Sequence, residues 1–215
     1  TELGIMVWLL NSTKTNPKSE EILEFAGAEN TTEAQKVLLD ELQKKNLLRV
    51  FEQIERPLLP VVKKINEKGI LLDKDIFKKL SEKYNKRLSE LEKDIWKMAG
   101  VNFNVSSPKQ LSEILFIKLG LKAKNQKKTA KTGALSTKES ELLKLVDVHP
   151  IIPLILEHRE LAKLLGTYIE PLPALVDKAG RLHTTFIQAG TTTGRMASRE
   201  PNLQNIPNKT ALGQE

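Results

Sequence analysis

Residues 73–98 read DKDIFKKLSEKYNKRLSELEKDIWKM. Their apolar members Ile76, Leu80, Tyr84, Leu88, Leu91, Ile95 and Met98 recur at steps of four or three, the period of one helix face. Asp73 stands where a side-chain oxygen can accept from the free amides of a first turn. Lysine and glutamate fill most of the other positions, so only a narrow seam is apolar. A helix of this length extends about 40 Å at 1.5 Å per residue. One narrow seam along it predicts pairing with an antiparallel partner helix. The fold class expected is mostly α with a small β component (α+β), built around long antiparallel helices.

The same helical step occurs upstream. Ile54, Leu58, Val61, Val62 and Ile65 repeat it from Phe51, and Gly69 stands at a C-terminal cap position. A further helical pattern runs from Thr32 to Leu48. The chain opens on its longest apolar run, Ile5 to Leu10, whose partners are expected upstream of Thr1. That run is far shorter than the roughly 20 residues that span a bilayer, and no signal-peptide layout surrounds it.

Downstream of the long helix, Ser107-Pro108-Lys109-Gln110 reads as a cap, a first-turn proline and a glutamine closing a capping box. Leu111, Ile114, Leu115 and Leu119 follow, with Gly120 as the stop. Ser136-Thr137-Lys138-Glu139 predicts a second capping box before Leu142, Leu143 and Val146. A helix is expected from Pro150 to about Tyr168, and Pro171 and Pro173 mark a fresh start. Only then does the period change. Leu182, Thr184, Phe186 and Gln188 alternate with His183, Thr185 and Ile187, which predicts a strand.

With 40% hydrophobic and 28% charged residues the chain belongs with soluble globular proteins. It has no cysteine, which excludes disulfides and thiolate metal sites and fits a reducing compartment. The three histidines, His149, His158 and His183, lie apart without flanking ligands in a metal-binding pattern. A net charge of +7 says little by itself, but its distribution is informative. Lys118, Lys122, Lys124, Lys127, Lys128, Lys131 and Lys138 fall between Ile114 and Lys138 with no acidic residue among them. Such a stretch suits a polyanion.

Residues 194–207 carry the most functional information. Arg195 and three amides, Asn202, Gln204 and Asn205, sit on a segment after the expected strand, with Gly194, Pro201 and Pro207 limiting its freedom. On the residues alone two readings stand. The segment is either a polar loop whose amides satisfy their own backbone, or a surface of amide and guanidinium groups suited to base edges and backbone oxygens.

Thr193-Gly194-Arg195 followed by Pro201-Asn202-Leu203-Gln204-Asn205-Ile206-Pro207 closely resembles the palm motif of family A (DNA polymerase I-like) DNA polymerases. The resemblance extends back through Arg181-Leu182-His183-Thr184-Thr185-Phe186 and Glu157-His158-Arg159-Glu160-Leu161-Ala162-Lys163-Leu164. It continues through Lys128-Thr129-Ala130-Lys131-Thr132-Gly133 with Ser136-Thr137, through Ser107-Pro108-Lys109-Gln110-Leu111, and through Ile54-Glu55-Arg56-Pro57-Leu58. These matches occur in family order across residues 51–215. The resemblance implies that residues 1–50 are the end of an exonuclease-like domain, 51–72 a helix leading into the polymerase domain, 73–168 the thumb and 169–215 the first palm segment. The Tyr-x-x-x-Asp pattern of a proofreading site is absent near residues 31–34, where Glu33 is the nearest acid, so a vestigial exonuclease-like domain is expected.

The resemblance also assigns residues. Arg195 matches the arginine that enters the minor groove near the primer terminus, where purine N3 and pyrimidine O2 accept in every correct pair. Asn202, Gln204 and Asn205 match palm residues contacting primer-template near the same end. Lys127, Lys128 and Lys131 match the thumb tip that holds duplex phosphates, and Arg159 and Lys163 match a thumb helix facing the duplex. Family A polymerases transfer nucleotides with two Mg2+ ions held by palm aspartates. No Asp or Glu of this chain matches those ligands, so the 215 residues alone are expected to bind no metal and to be inactive, and the fingers and catalytic palm to be partners in the same or a split chain. The resemblance implies a bacterial-type, cytoplasmic, nucleoid-associated parent enzyme without a membrane partner. A stand-alone, non-catalytic DNA-binding module is the rival expectation.

Overall fold

The computed structural model describes residues 1–122, 127–129, 133, 135–208 and 210–214. The chain forms two compact units, Thr1–Leu72 with Leu175–Pro207, and Asp73–Ala174 with the residues from Asn208 onward.

In the first unit, α1 (Glu2–Leu10) opens at Thr1, whose hydroxyl accepts from the Gly4 amide at 3.1 Å. Its Ile5, Met6, Val7 and Trp8 are buried against Ile22 of α2 (Ser19–Ala26), Leu38 and Leu42 of α3 (Thr31–Lys44), Phe51 and Ala189. The opening apolar run thus finds partners downstream in the same chain. A short stretch apolar on all sides is a helix enclosed by neighbours. Asn30 caps α3 by accepting from the Glu33 amide at 3.0 Å.

Next come α4 (Leu48–Val50), a π-helical segment Phe51–Glu55 and α5 (Arg56–Lys68), consecutive in the chain. Of the apolar positions expected on one face here, Val62 is buried whereas Ile54, Val61 and Ile65 are exposed. Gly69 ends α5 at φ +65, and a Cβ there would lie 2.9 Å from the His183 ring. Only glycine allows both the left-handed backbone and that approach.

Strand β1 (Ile70–Leu71) pairs antiparallel with β2 (Arg181–Leu182), and β3 (Thr185–Ile187) with β4 (Ala197–Arg199). The strand expected over 182–188 is therefore two strands with different partners, because residues 183–184 leave the ladder. Its alternation persists: Leu182, Thr184 and Gln188 are buried, His183 and Thr185 exposed.

The second unit is built on α6 (Lys74–Ala99), a helix of 26 residues. Asp73 caps it, its Oδ1 accepting from the amides of Asp75 at 3.0 Å and Ile76 at 3.2 Å. Tyr84, Leu91, Ile95 and Ala99 of the seam are buried, while Ile76 and Met98 at its ends are exposed. Then α7 (Pro108–Ser112) runs into a π-helical segment, Glu113–Lys118, with Leu111 and Leu115 in the core. Ser107 caps α7 at 3.5 Å, but Gln110 Oε1 accepts from Asn104 N at 2.7 Å, so the reciprocal half of that capping box is not made.

The second expected box does not form either. Helix α8 (Glu139–Leu142) follows Lys138 without a side-chain cap, and Ser136 Oγ accepts from the Lys138 amide instead, at 3.3 Å. A 3₁₀ turn, Leu143–Leu145, leads on to α9 (Ile151–Leu164), extended by a π-helical segment Leu165–Ile169. This is the partner of α6. Asn85 reaches Glu170 at 3.1 Å and Glu92 reaches His158 at 3.2 Å, so the two helices run antiparallel, as the single seam requires. Arg87 clamps Glu157 with two bonds, at 2.7 and 2.9 Å. The core between them holds Ile95, Ala99, Leu111, Leu115, Leu142, Leu145, Ile151, Ile152 and Ile155. Helix α10 (Ala211–Gln214) completes the unit, and the Tyr84 hydroxyl donates to Leu212 O at 3.1 Å. Among the described residues no helix is long and apolar enough to cross a membrane.

Candidate nucleic-acid interface

Arg195 lies in the connection between β3 and β4, and its position is set by its neighbours' backbone contacts. The Thr191 hydroxyl donates to Arg195 O at 2.7 Å, and the Trp8 indole N–H to Thr191 O at 2.7 Å. At the base of the connection, a Cβ on Gly190 would sit 2.4 Å from that of Ala197, so only glycine lets the two strands approach. With Gly194 at φ +85 the turn is closed, and Arg195 is left exposed with no ion pair among the described residues.

The segment from Ala197 to Pro207 is more ordered than a polar loop, since its first residues form β4. After β4 two buried hydroxyls organise it. Thr184 Oγ1 lies 2.7 Å from Pro201 O and 2.8 Å from Ser198 Oγ, and Ser198 Oγ accepts from the Leu203 amide at 3.1 Å. One proton order satisfies all of this: Thr184 donates to Pro201, Ser198 donates to Thr184, and Leu203 donates to Ser198. Gln204 Nε2 donates to Met196 O at 2.6 Å, and Asn202 Oδ1 accepts from Gln204 N at 3.0 Å. The structure thus brings Gln204 and Asn202 together beside the Arg195 turn. Asn202, Gln204 and Asn205 are all exposed.

The basic residues of the thumb assignment lie on the other unit. Lys127 and Lys128 are exposed on a short ladder in which Lys128 bridges Leu135 and Ser136 N donates to Lys127 O at 2.8 Å. Lys131 lies outside the described residues. Lys163 is exposed on α9, one turn beyond Arg159. Arg159 itself is only partly exposed: its guanidinium donates to the backbone oxygen of Thr137 and, at 3.3 Å, to its hydroxyl. Burial lowers its pKa from the ordinary arginine value, yet an arginine remains a cation.

Sequence reasoning missed Ser198, Thr184 and Glu141. Thr184 had a signal, because a polar residue on the inward face of an alternating strand needs a partner there. Ser198 had none. Glu141 is buried, and the Lys144 ammonium, then the Lys127 amide, hold its carboxyl below the usual range. Among the described residues no three His, Cys, Asp or Glu side chains converge as metal ligands. The described residues do not supply the carboxylate set of a two-metal centre.

A family model described as DNA polymerase family A matches residues 74–215. The DNA polymerase I of Helicobacter pylori is 47% identical over 168 residues, covering 78% of this chain and 18% of that protein. A thermostable DNA polymerase I of Thermus filiformis is 40% identical over 220 residues, 98% of this chain and 26% of its own length. Among solved structures, the POL domain of Pol1 from M. smegmatis, in complex with DNA primer-template and dNTP, superposes with a TM-score of 0.80 at 26% identity, over 99% of this chain and 39% of that one. The chain thus spans about a fifth to a quarter of these curated relatives. With the family model matched over most of its length, the chain belongs to DNA polymerase family A.

Proposed function

We propose that this chain is the duplex-holding part of a DNA-directed DNA polymerase. Residues 73–168 act as the thumb, with Lys127, Lys128, Lys131 and Lys163 on backbone phosphates. Residues 169–215 act as the first palm segment, where Arg195 donates to the minor groove near the primer terminus and Asn202, Gln204 and Asn205 contact the same end. Arg159 works from its place beside Thr137, setting the lysine loop and adding positive potential. The observation that carries this reading is Arg195, an exposed guanidinium on a turn fixed from three sides, within the motif that carries the family resemblance. The Pol1 POL domain it resembles is in complex with primer-template DNA.

The parent enzyme, on this reading, adds dNMPs to a primer 3′ end in the bacterial cytoplasm. Two Mg2+ ions supply the activated hydroxyl and the leaving-group stabilisation when bound, held by carboxylates that these residues do not provide. The part played here is alignment, because a primer terminus held in place reacts far faster than a loose one.

Minor-groove acceptors occupy similar positions in all correct pairs and shift in a mismatch. Single-turnover extension by the full-length polymerase carrying Arg195→Ala should therefore slow about 100-fold or more on matched primers and much less on mismatched ones. Arg195→Lys should restore little, lacking the planar fork. Equal slowing on both primers would overturn the assignment.

A further inference from the structure

Glu141 is 4% exposed, although carboxylates avoid the interior unless paired. Its Oε2 accepts from the Lys127 amide at 3.0 Å and from the Lys144 ammonium at 2.8 Å. The cation favours the ionised carboxylate, and the hydrogen bond from the Lys127 amide ties it to that residue's backbone. The carbonyl of the same residue is also held, since Lys127 O accepts from Ser136 N at 2.8 Å. Leu135, opposite Lys128, is in turn fixed by Ser112 Oγ, which donates to its oxygen at 3.1 Å. Lys127 and Lys128 therefore leave a backbone that Glu141 pins from α8, fourteen residues away.

We propose that Glu141 is a positioning residue for the lysine loop: it fixes the Lys127 peptide so that Lys127 and Lys128 meet duplex phosphates in a set register. The inference rests on the loop's reading as a phosphate contact. Two effects of Glu141 on DNA binding have opposite signs, which makes the idea testable. As a negative charge beside phosphates it repels, and its removal would tighten binding. As a support for the loop it helps, and its removal loosens binding.

The experiment measures duplex binding against salt for the 215-residue chain as wild type, Glu141→Ala, Glu141→Gln, and the double variant Lys127→Ala with Lys128→Ala. The double variant should weaken binding and make the slope of log K against log salt less negative by about 1.8, the share of two phosphates. Glu141→Ala should weaken binding roughly ten-fold and move the slope the same way. Glu141→Gln keeps an oxygen for the Lys127 amide and should stay within about two-fold of wild type. Loss in the lysine variant with Glu141→Ala as tight as wild type, or tighter, overturns the role of Glu141 alone. No change in the lysine variant overturns the phosphate-contact reading and this inference with it. Should Glu141→Ala fail to fold, amide exchange in the wild type decides: slowing of the Lys127 amide by about ten-fold or more over the free-peptide rate supports the proposal, and exchange at the free rate overturns it.

Discussion

His183 has both ring nitrogens facing acceptors, Nδ1 at 3.1 Å from Asn66 O and Nε2 at 3.0 Å from Asp177 Oδ2. A carbonyl and a carboxylate have no proton to give, so the doubly protonated ring is the form that satisfies both contacts. Asp177, then the Asn66 carbonyl, raise its pKa above the ordinary value of 6.5, against burial and the Arg181 charge. Asp177 is lowered, first by the Arg181 amide and then by His183. Because the histidine's folded pKa is the higher one, its contribution is complete below about pH 6.5 and is lost as pH rises through the raised value. The aspartate's contribution is present above about pH 4 and is lost as pH falls through the lowered value. The clasp between the end of α5 and the turn before β2 is thus complete between those limits and opens on the alkaline side. Exchange of the Leu72 amide, which bonds Gly180 O at 3.0 Å, should speed up above about pH 6.5 beyond the intrinsic base-catalysed trend. His183→Gln should remove that excess, and identical profiles would contradict it. Part of this residue-scale chemistry was legible. The motif pointed to Arg195, but the Asn66 and Asp177 partners of His183 come together only when β2 is placed against α5.

At the scale of elements, α6 was legible because its determinants are local: a seam at helical steps, an aspartate before it and Gly100 at φ +67 after it. Asp73 satisfies two first-turn amides, so Asp73→Ala should cost about 1 kcal/mol and Asp73→Ser only a few tenths. Urea unfolding followed by circular dichroism checks this, and no difference between aspartate and alanine would contradict the cap. Both expected capping boxes were misread for one reason. A serine before a polar turn gives the same local signal whichever amide it meets, and here Ser136 serves Lys138 while Gln110 turns back to Asn104. The strand over 182–188 was read as continuous because alternation survives a break in pairing. Its interruption depends on β1 and β4, which lie more than a hundred residues before it and about ten after it.

At the scale of the molecule, charge and family point the same way. The excess of cations is modest, at +7, and on the proposed function works through its concentration between Lys118 and Lys138. The first and last stretches of the sequence read as separate segments, yet Ile5, Met6 and Trp8 share a core with Ala189. No local pattern could announce that, since neither stretch carries a periodicity referring to the other. On the proposed function these residues grip duplex DNA by its backbone, whatever its sequence. The most direct measurement is fluorescence anisotropy of a labelled primed duplex titrated with the 215-residue chain over a range of salt. If about four phosphates are neutralised, log K should fall with log salt at a slope of roughly −3.6, nearly the same for unrelated duplex sequences. Undetectable binding, or an affinity that barely changes between low and moderate salt, would contradict it.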